Sequence, residues 1–291
     1  MAAQTLQFFA AGLTAGSIYA LVALGFSIVF NASRVINFAQ GEFVMIGGMA
    51  AASLLALGVP FAAALALAVA LAVAIGLVLE KLAIERARQA DVTTLIIITI
   101  GASILLRGIA QIVWGKGIRT LPPLSDDRPL AAFGATIVPQ SLWVLGTTLA
   151  IVAVLSWFFG RSRLGKAMLA TAHNRLAAQL VGIDVRLVLF ASFGLAAALG
   201  AIAGILVAPI GFTSYDVGVM LGLKGFAAAI LGGLGSFPGA VAGGVVLGLL
   251  ESLGAGFISS AYKDAIAFVV LLAVLLVRPD GLVGALRSER V

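Results

Sequence analysis

The chain has 291 residues, 62% of them hydrophobic and 10% charged, with a net charge of +6. Soluble domains carry ~25% charged residues, so this composition excludes a water-soluble globular fold and asks for lipid around the outer faces of helices. With no cysteine and one histidine, disulfides, thiol catalysis and Cys- or His-built metal sites have no basis, and the positive charge reads as membrane orientation rather than nucleic-acid binding.

Residues 1–7 hold no Lys or Arg, so the charged start of a cleaved signal is missing. A membrane helix needs ~20 apolar residues. Nine runs qualify in chain order. Residues 8–30 are free of charge, and 36–57 is interrupted by Glu42. Residues 61–79 are nearly all Ala, Leu and Val, and 92–114 carries Arg107 near one end. Then come 142–159, 187–209, the Gly-rich 217–234 with Lys224, 240–258 with Glu251, and the short 265–277. The seventh and ninth are candidates for broken or re-entrant helices. The expected fold is therefore an all-α polytopic membrane bundle of eight or nine transmembrane helices, one domain over residues 1–291.

Basic residues orient such a bundle. With the segment after the fifth run inside, the inner connections hold Arg34, Lys81, Arg86, Arg88, Arg161, Arg163, Lys166, Arg175, Arg186, Arg278, Arg287 and Arg290. The outer ones hold only Lys116, Arg119, Arg128 and Lys263. This predicts an external N-terminus and a cytoplasmic C-terminus. Residues 114–140 then form an external loop with four prolines, either a plain connector or a docking surface. Residues 161–185 form a cytoplasmic loop in which Leu164, Met168, Leu169, Leu176, Ala177, Leu180 and Val181 fall near helical spacing among basic residues. One or two amphipathic helices are expected there, stopped by Gly182.

Two blocks resemble each other. Gly25-Phe26-Ser27 precedes Gly41-Glu42-Phe43 and Gly47-Gly48; Gly211-Phe212-Thr213 precedes Gly225-Phe226 and Gly232-Gly233. An inverted repeat would give this pattern, as would chance matching in an Ala/Gly-rich chain. Small pairs four residues apart (Gly12/Gly16, Gly200/Gly204, Gly239/Gly243, Gly244/Gly248) allow close helix approach, within one bundle or at a dimer seam.

No phosphate-binding loop, nucleophile elbow or zinc motif occurs, so any ATP hydrolysis belongs to another chain. Charges inside spans are costly and mark function or pairing. Arg107 can snorkel to the interface. Glu42 follows a polar stretch and suits a helix start. A pair between Lys224 and either Glu42 or Glu251, and a substrate contact by these residues, both remain open.

Gly16-Ser17-Ile18-Tyr19-Ala20-Leu21 with Asn37-Phe38-Ala39-Gln40-Gly41-Glu42, the block from Gly222 to Ala240, and the loop from Arg163 to Asp184 together resemble the branched-chain amino acid ABC permeases, in particular the shorter, first permease type. Gln40 stands where many members have His. The resemblance implies no cofactor, a second related permease chain as partner, two cytoplasmic ATPase subunits, a periplasmic binding protein and a bacterial inner-membrane location. The two Gly-rich or polar breaks, which suit backbone lining a cavity, place a substrate pathway at Asn37, Gln40, Glu42, Lys224, Phe226 and Glu251. Arg163, Gly165, Leu169, Ala172, Leu176 and Gly182 are the expected ATPase-coupling residues. The pathway is expected to be narrow and mostly apolar, suiting a zwitterionic aliphatic substrate. The other reading is an ion-coupled secondary transporter of a small polar solute, which would need no ATPase-docking loop.

Overall fold

A computed structural model describes residues 2–87, 90–125, 128–132, 135–278 and 281–283; Arg88, Arg287 and Arg290 lie outside these described residues. The chain runs α1 (Ala2–Ser33), α2 (Gln40–Ala56), α3 (Phe61–Leu79) extended by a π turn at Glu80–Ile84, and α4 (Val92–Trp114). A small antiparallel hairpin follows, β1 (Leu130–Ala132) on β2 (Ala135–Ile137). Then come α5 (Pro139–Arg161), α6 (Arg163–His173), α7 (Arg175–Leu180), α8 (Val185–Gly211), α9 (Val217–Gly232), α10 (Phe237–Phe257), a 3-10 turn at Ser260–Tyr262 and α11 (Lys263–Val277). Short of the hairpin, the fold is all-α.

Seven of these helices are long and apolar enough to cross a membrane: α1, α3 with its π turn, α4, α5, α8, α10, and α11 with its 3-10 turn. The remaining two apolar helices, α2 and α9, have 17 and 16 residues and fall short of the ~20 required. The second run of the sequence is shortened because residues 34–39 leave the helix. Arg34 has a left-handed φ of 60°, and Asn37 Oδ1 accepts a hydrogen bond from Ala39 N at 3.1 Å, closing a local turn before α2. The ninth run gains length from the 3-10 turn instead. The third and fourth runs coincide with α3 and α4.

The centre of the bundle is α1, α2 and α8, with α9 and α10 against them. Every residue of α2 from Gln40 to Ala52 is buried. A short helix is tolerated at such a place because protein, not lipid, surrounds its ends. The peripheral helices α3, α4, α5 and α11 turn Leu71, Ile104, Ile112, Leu149 and Leu272 outward, an apolar face that lipid covers. All four small-residue pairs serve packing within the chain. Gly12 and Gly16 meet Gly244 and Gly248 between α1 and α10, Gly200 and Gly204 meet α2, and Gly239 and Gly243 meet α9. A Cβ at Gly248 would collide with the Gly16 backbone.

The connections segregate to two ends. At one end Arg119 and Thr213 exchange backbone hydrogen bonds of 2.8 Å, Arg119 reaches Ser53 Oγ, and Ser252 donates to Phe8 O. At the other, Arg34 donates to Ala172 O, Asn31 Nδ2 donates to Gly235 O at 2.7 Å, and Leu282 N donates to Leu231 O. Each helix from α1 to α5 and from α8 to α11 therefore leads from one end to the other, α2 and α9 included. The packing partners also recur. α1 lies on α10 and α9, α8 on α3 and α2, α2 on α3, and α9 on α10. The two Gly-Phe blocks do not sit at matching places, for Gly25 is inside α1 and Gly211 is the last residue of α8. The likeness lies in which helices touch.

Candidate functional site

The segment between α1 and α2 re-enters the bundle before α2 begins, and three helices hold it there. Phe38 N donates to Thr99 Oγ1 on α4 at 3.2 Å. Gln40 Nε2 donates to Ala196 O on α8 at 2.9 Å. Gly41 lies against Gly218 and Gly222 of α9 so closely that a Cβ at Gly41 would strike the Gly218 carbonyl. Only a side chain of hydrogen allows this crossing, so the first turns of α2 and α9, which enter the contact from opposite ends of the bundle, meet directly.

Glu42, in the first turn of α2, is 1% exposed. Its Oε1 accepts from Ser103 Oγ at 2.7 Å and from Arg107 Nη2 at 2.9 Å. Its Oε2 has no partner among the described residues. Arg107 is therefore a paired residue and not the snorkelling end of α4 that its position suggests. Thr99, Ser103 and Arg107 are spaced by four and form one face of α4, a polar stripe legible in the sequence spacing. Beside the Glu42–Arg107 pair opens a cleft of about 150 Å³, lined by Phe26, Phe38, Ile104, Gly222 and Phe226 among others. The Phe226 ring centroid is 5.6 Å from that of Phe26 and 5.5 Å from that of Phe38. Asn37 Nδ2 and Gln40 Oε1, buried behind the cleft, are also without hydrogen-bond partners among the described residues. The arrangement offers one guanidinium, one carboxylate oxygen and an aromatic wall, which together can take an anion, a cation and an aliphatic group of one small molecule.

Of the six expected pathway residues, Glu42 and Phe226 line this cleft and Asn37 and Gln40 sit behind it. Lys224 and Glu251 do not reach it. Lys224 is two residues from Phe226, which turns it to the other side of α9. There its Nζ lies 2.8 Å from Glu251 Oε1 and 2.6 Å from Asp264 Oδ1 of α11. Tyr19 Oη of α1 donates to Glu251 Oε2 at 2.7 Å and accepts from Lys224 at 3.3 Å. Of the two pairings open in the sequence, Lys224 takes Glu251, with Tyr19 and Asp264 added.

The loop after α5, where one or two helices were expected, forms two, α6 and α7. Ser162 Oγ and Asn174 Oδ1 cap them by accepting from Gly165 N and Ala177 N, and Gly182 follows with a left-handed φ of 85°. Gly165 and Met168 turn inward and Ala172 is half-buried against the bundle, where Arg34 holds its carbonyl. Arg163 is exposed and Leu169 lies at the margin of the packed face. Leu176, Leu180 and Val181 are 73%, 88% and 77% exposed. The apolar spacing thus divides into a packed face on α6 and a free face on α7.

Comparison with known proteins gives this architecture its class. The fold matches a solved chain of PsaBC from Streptococcus pneumoniae in complex with Fab, at a TM-score of 0.54 and 13% identity, over 96% of this chain and 97% of that one. Residues 8–275 match the family described as branched-chain amino acid transport system / permease component. The high-affinity branched-chain amino acid transport system permease protein LivH of Escherichia coli K12 is 36% identical over 96% of both chains. The corresponding protein BraD of Pseudomonas aeruginosa is 35% identical, again over 96% of both. The chain belongs to the branched-chain amino acid transport permease family. It is the permease component of an ATP-binding-cassette system, not itself an ATPase, and the family implies ATPase and binding-protein partners.

Proposed function

We propose that this chain forms one half of the pathway by which leucine, isoleucine, valine or a closely related α-amino acid enters a bacterial cell. The observation that carries the reading is the Glu42–Arg107 pair beside three phenylalanines in a cleft that opens on the flank of the bundle. A carboxylate of the substrate can exchange onto Arg107 and its ammonium onto the free oxygen of Glu42, while the aliphatic side chain meets Phe26, Phe38 and Phe226. The pair already neutralises itself, so a zwitterion passes without leaving a bare charge in an apolar channel. A strongly charged substrate would not. Affinity resides in the periplasmic binding protein, because a deep site in the permease would slow release.

An Arg–Glu pair opening towards lipid would be expensive. A second, related permease chain covering this flank removes that cost and closes the other half of the pathway. The chain crosses the inner membrane nine times, with α2 and α9 as short crossings, the N-terminus outside and the C-terminus in the cytoplasm. The described basic residues of one end (Arg34, Lys81, Arg86, Arg161, Arg163, Lys166, Arg175, Arg186 and Arg278) support that side as cytoplasmic. The recurrent packing of α1–α2–α3 and α8–α9–α10 supports an inverted repeat whose short helices meet in the middle. The free apolar face of α7 docks one of two ATPase subunits.

The test is uptake of labelled leucine by the chain reconstituted in proteoliposomes with its second permease, ATPases and binding protein. Uptake that depends on ATP and falls at least tenfold in Glu42→Gln, with leucine binding to the isolated binding protein unchanged, is the expected result. Unchanged uptake in that variant would remove the cleft from the pathway.

A further inference from the structure

A second cleft, of about 420 Å³, lies at the end of the bundle that carries α6 and α7. Its walls are the π turn after α3 and the junction of α7 with α8. Glu80, the first residue of the π turn, lines it and is only 2% exposed. Its carboxylate has no hydrogen bond and no ion pair among the described residues. Glu85 lies beside it, and its ion pair among the described residues, with Arg186, is 3.9 Å long, beyond hydrogen-bond reach. Arg175 also lines the cleft and has no partner among the described residues. Asp184 is spent as the cap of α8, accepting from Arg186 N and Leu187 N.

The Glu80 side chain is packed, but its carboxylate opens into the cleft, and the exposed Arg175 guanidinium lines the same space. We infer that this cleft binds a small zwitterion, its ammonium on Glu80 and Glu85 and its anionic group on Arg175. The guanidinium offers that anion a planar, two-pronged donor. The apolar floor of Ile183 and Leu189 takes an adjoining aliphatic part. The volume falls within the ~300–1,000 Å³ of small-molecule sites. A divalent cation is the poorer fit, because it wants six or more oxygen ligands, and the guanidinium groups that flank the two carboxylates repel it. π turns also recur at functional sites. Two sources supply the chemistry, a free α-amino acid or the headgroup of phosphatidylethanolamine. Either would brace α7 against α3. The consequence for transport rests on the proposed role of α7 in ATPase docking, whereas binding itself does not.

The experiment uses the full chain in nanodiscs of phosphatidylglycerol alone, which has no ammonium headgroup. L-Leucine is titrated by calorimetry, with N-acetyl-L-leucine as the probe lacking a cation. In a second arm, phosphatidylethanolamine is added to the discs and the melting temperature is followed. Saturable leucine binding that weakens at least tenfold in both Glu80→Gln and Arg175→Gln, is absent for the acetylated probe and persists in Glu42→Gln assigns the cleft to free amino acids. A melting shift with phosphatidylethanolamine that both Glu80→Gln and Arg175→Gln abolish assigns it to the lipid headgroup. The inference is overturned if neither probe distinguishes the wild type from Glu80→Gln, or if leucine binding is lost in Glu42→Gln and kept in Glu80→Gln. That second result would leave the pathway reading standing and this one fallen.

Discussion

Two groups of charge lie inside the membrane-spanning helices, and they are built to opposite ends. Around Lys224 every strong group is engaged with another: the ammonium faces Glu251, Asp264 and Tyr19, and the second oxygen of Glu251 takes the Tyr19 hydroxyl. Around Glu42 one carboxylate oxygen is left over, the arginine is 31% exposed, and a cleft opens beside both. In the proposed repeat these are related places, α2 with α4 and α9 with α11, with the signs exchanged. Burial alone therefore does not mark a pathway. The Lys224 group ties α1, α9, α10 and α11 together; the Glu42 group keeps bonding capacity in reserve for something that arrives and leaves.

The largest expected effect tests the saturated group. Lys224→Met leaves two carboxylates facing each other with one hydroxyl between them. Removing one partner of a buried pair costs roughly 3–5 kcal/mol, so the full chain should melt far lower in detergent or be lost on purification. Adding Glu251→Gln and Asp264→Asn to the same variant should recover most of the loss. A Lys224→Met chain as stable as the wild type would dissolve the distinction between the two groups.

Next comes an asymmetry within the open group. Arg107→Gln leaves the buried Glu42 without its cation and should destabilise the chain by about 1–3 kcal/mol. Glu42→Gln frees an arginine that can still extend to the interface, so its melting temperature should change less while leucine uptake falls at least tenfold. Melting curves and uptake on the two variants decide this. Equal stability losses would mean that the pair is a structural tie like the one at Lys224.

This asymmetry also shows where the sequence was legible. Apolar runs with sharp ends, as at α3 and α4, carry their boundaries in composition, because lipid penalises every exposed polar group. The apolar spacing of residues 164–181 and the stop at Gly182 likewise placed α6 and α7. The partner of Glu42 was not legible. Arg107 is seven residues before the end of α4, and on a straight helix that suggests the interface. What decides its role is the re-entry of residues 34–39, which lifts the start of α2 to the level of Arg107. That backbone path depends on Thr99 and Ala196, contacts across 61 and 156 positions of chain. Tyr19 and Asp264 were missed for a related reason, since each meets Lys224 only through helix packing.

A smaller effect separates pathway from coupling. Leu176→Asp changes a residue that is 73% exposed, so melting should move by no more than ~0.5 kcal/mol in stability terms. If α7 docks an ATPase, stimulation of ATP hydrolysis by the loaded binding protein should nevertheless drop in the reconstituted system. Full stimulation would remove α7 from the coupling surface and leave the two intramembrane groups as they are.

The smallest effect uses a carboxylate in water, Asp91, as the scale for Glu42 and Glu251. Asp91 caps α4 from just outside the span: its Oδ1 accepts from Thr94 Oγ1 at 2.6 Å and its Oδ2 from Thr94 N at 3.3 Å. The side-chain hydrogen bond from Thr94, followed by the backbone one, holds the Asp91 carboxyl below its ordinary value. A lowered folded-state pKa means that the charged form is favoured by folding. Its contribution is therefore present above the unfolded pKa of ~3.9 and is lost as pH falls through the folded value. Asp91→Ala should melt slightly below the wild type at pH 7, and the gap should close as the pH is brought below about 4. Because Asp91 is solvated, protonation costs the chain no more than the cap. A gap that stays constant down to pH 3 would show that the cap owes nothing to the charge of Asp91, and that the hydroxyl of Thr94 holds the turn without it.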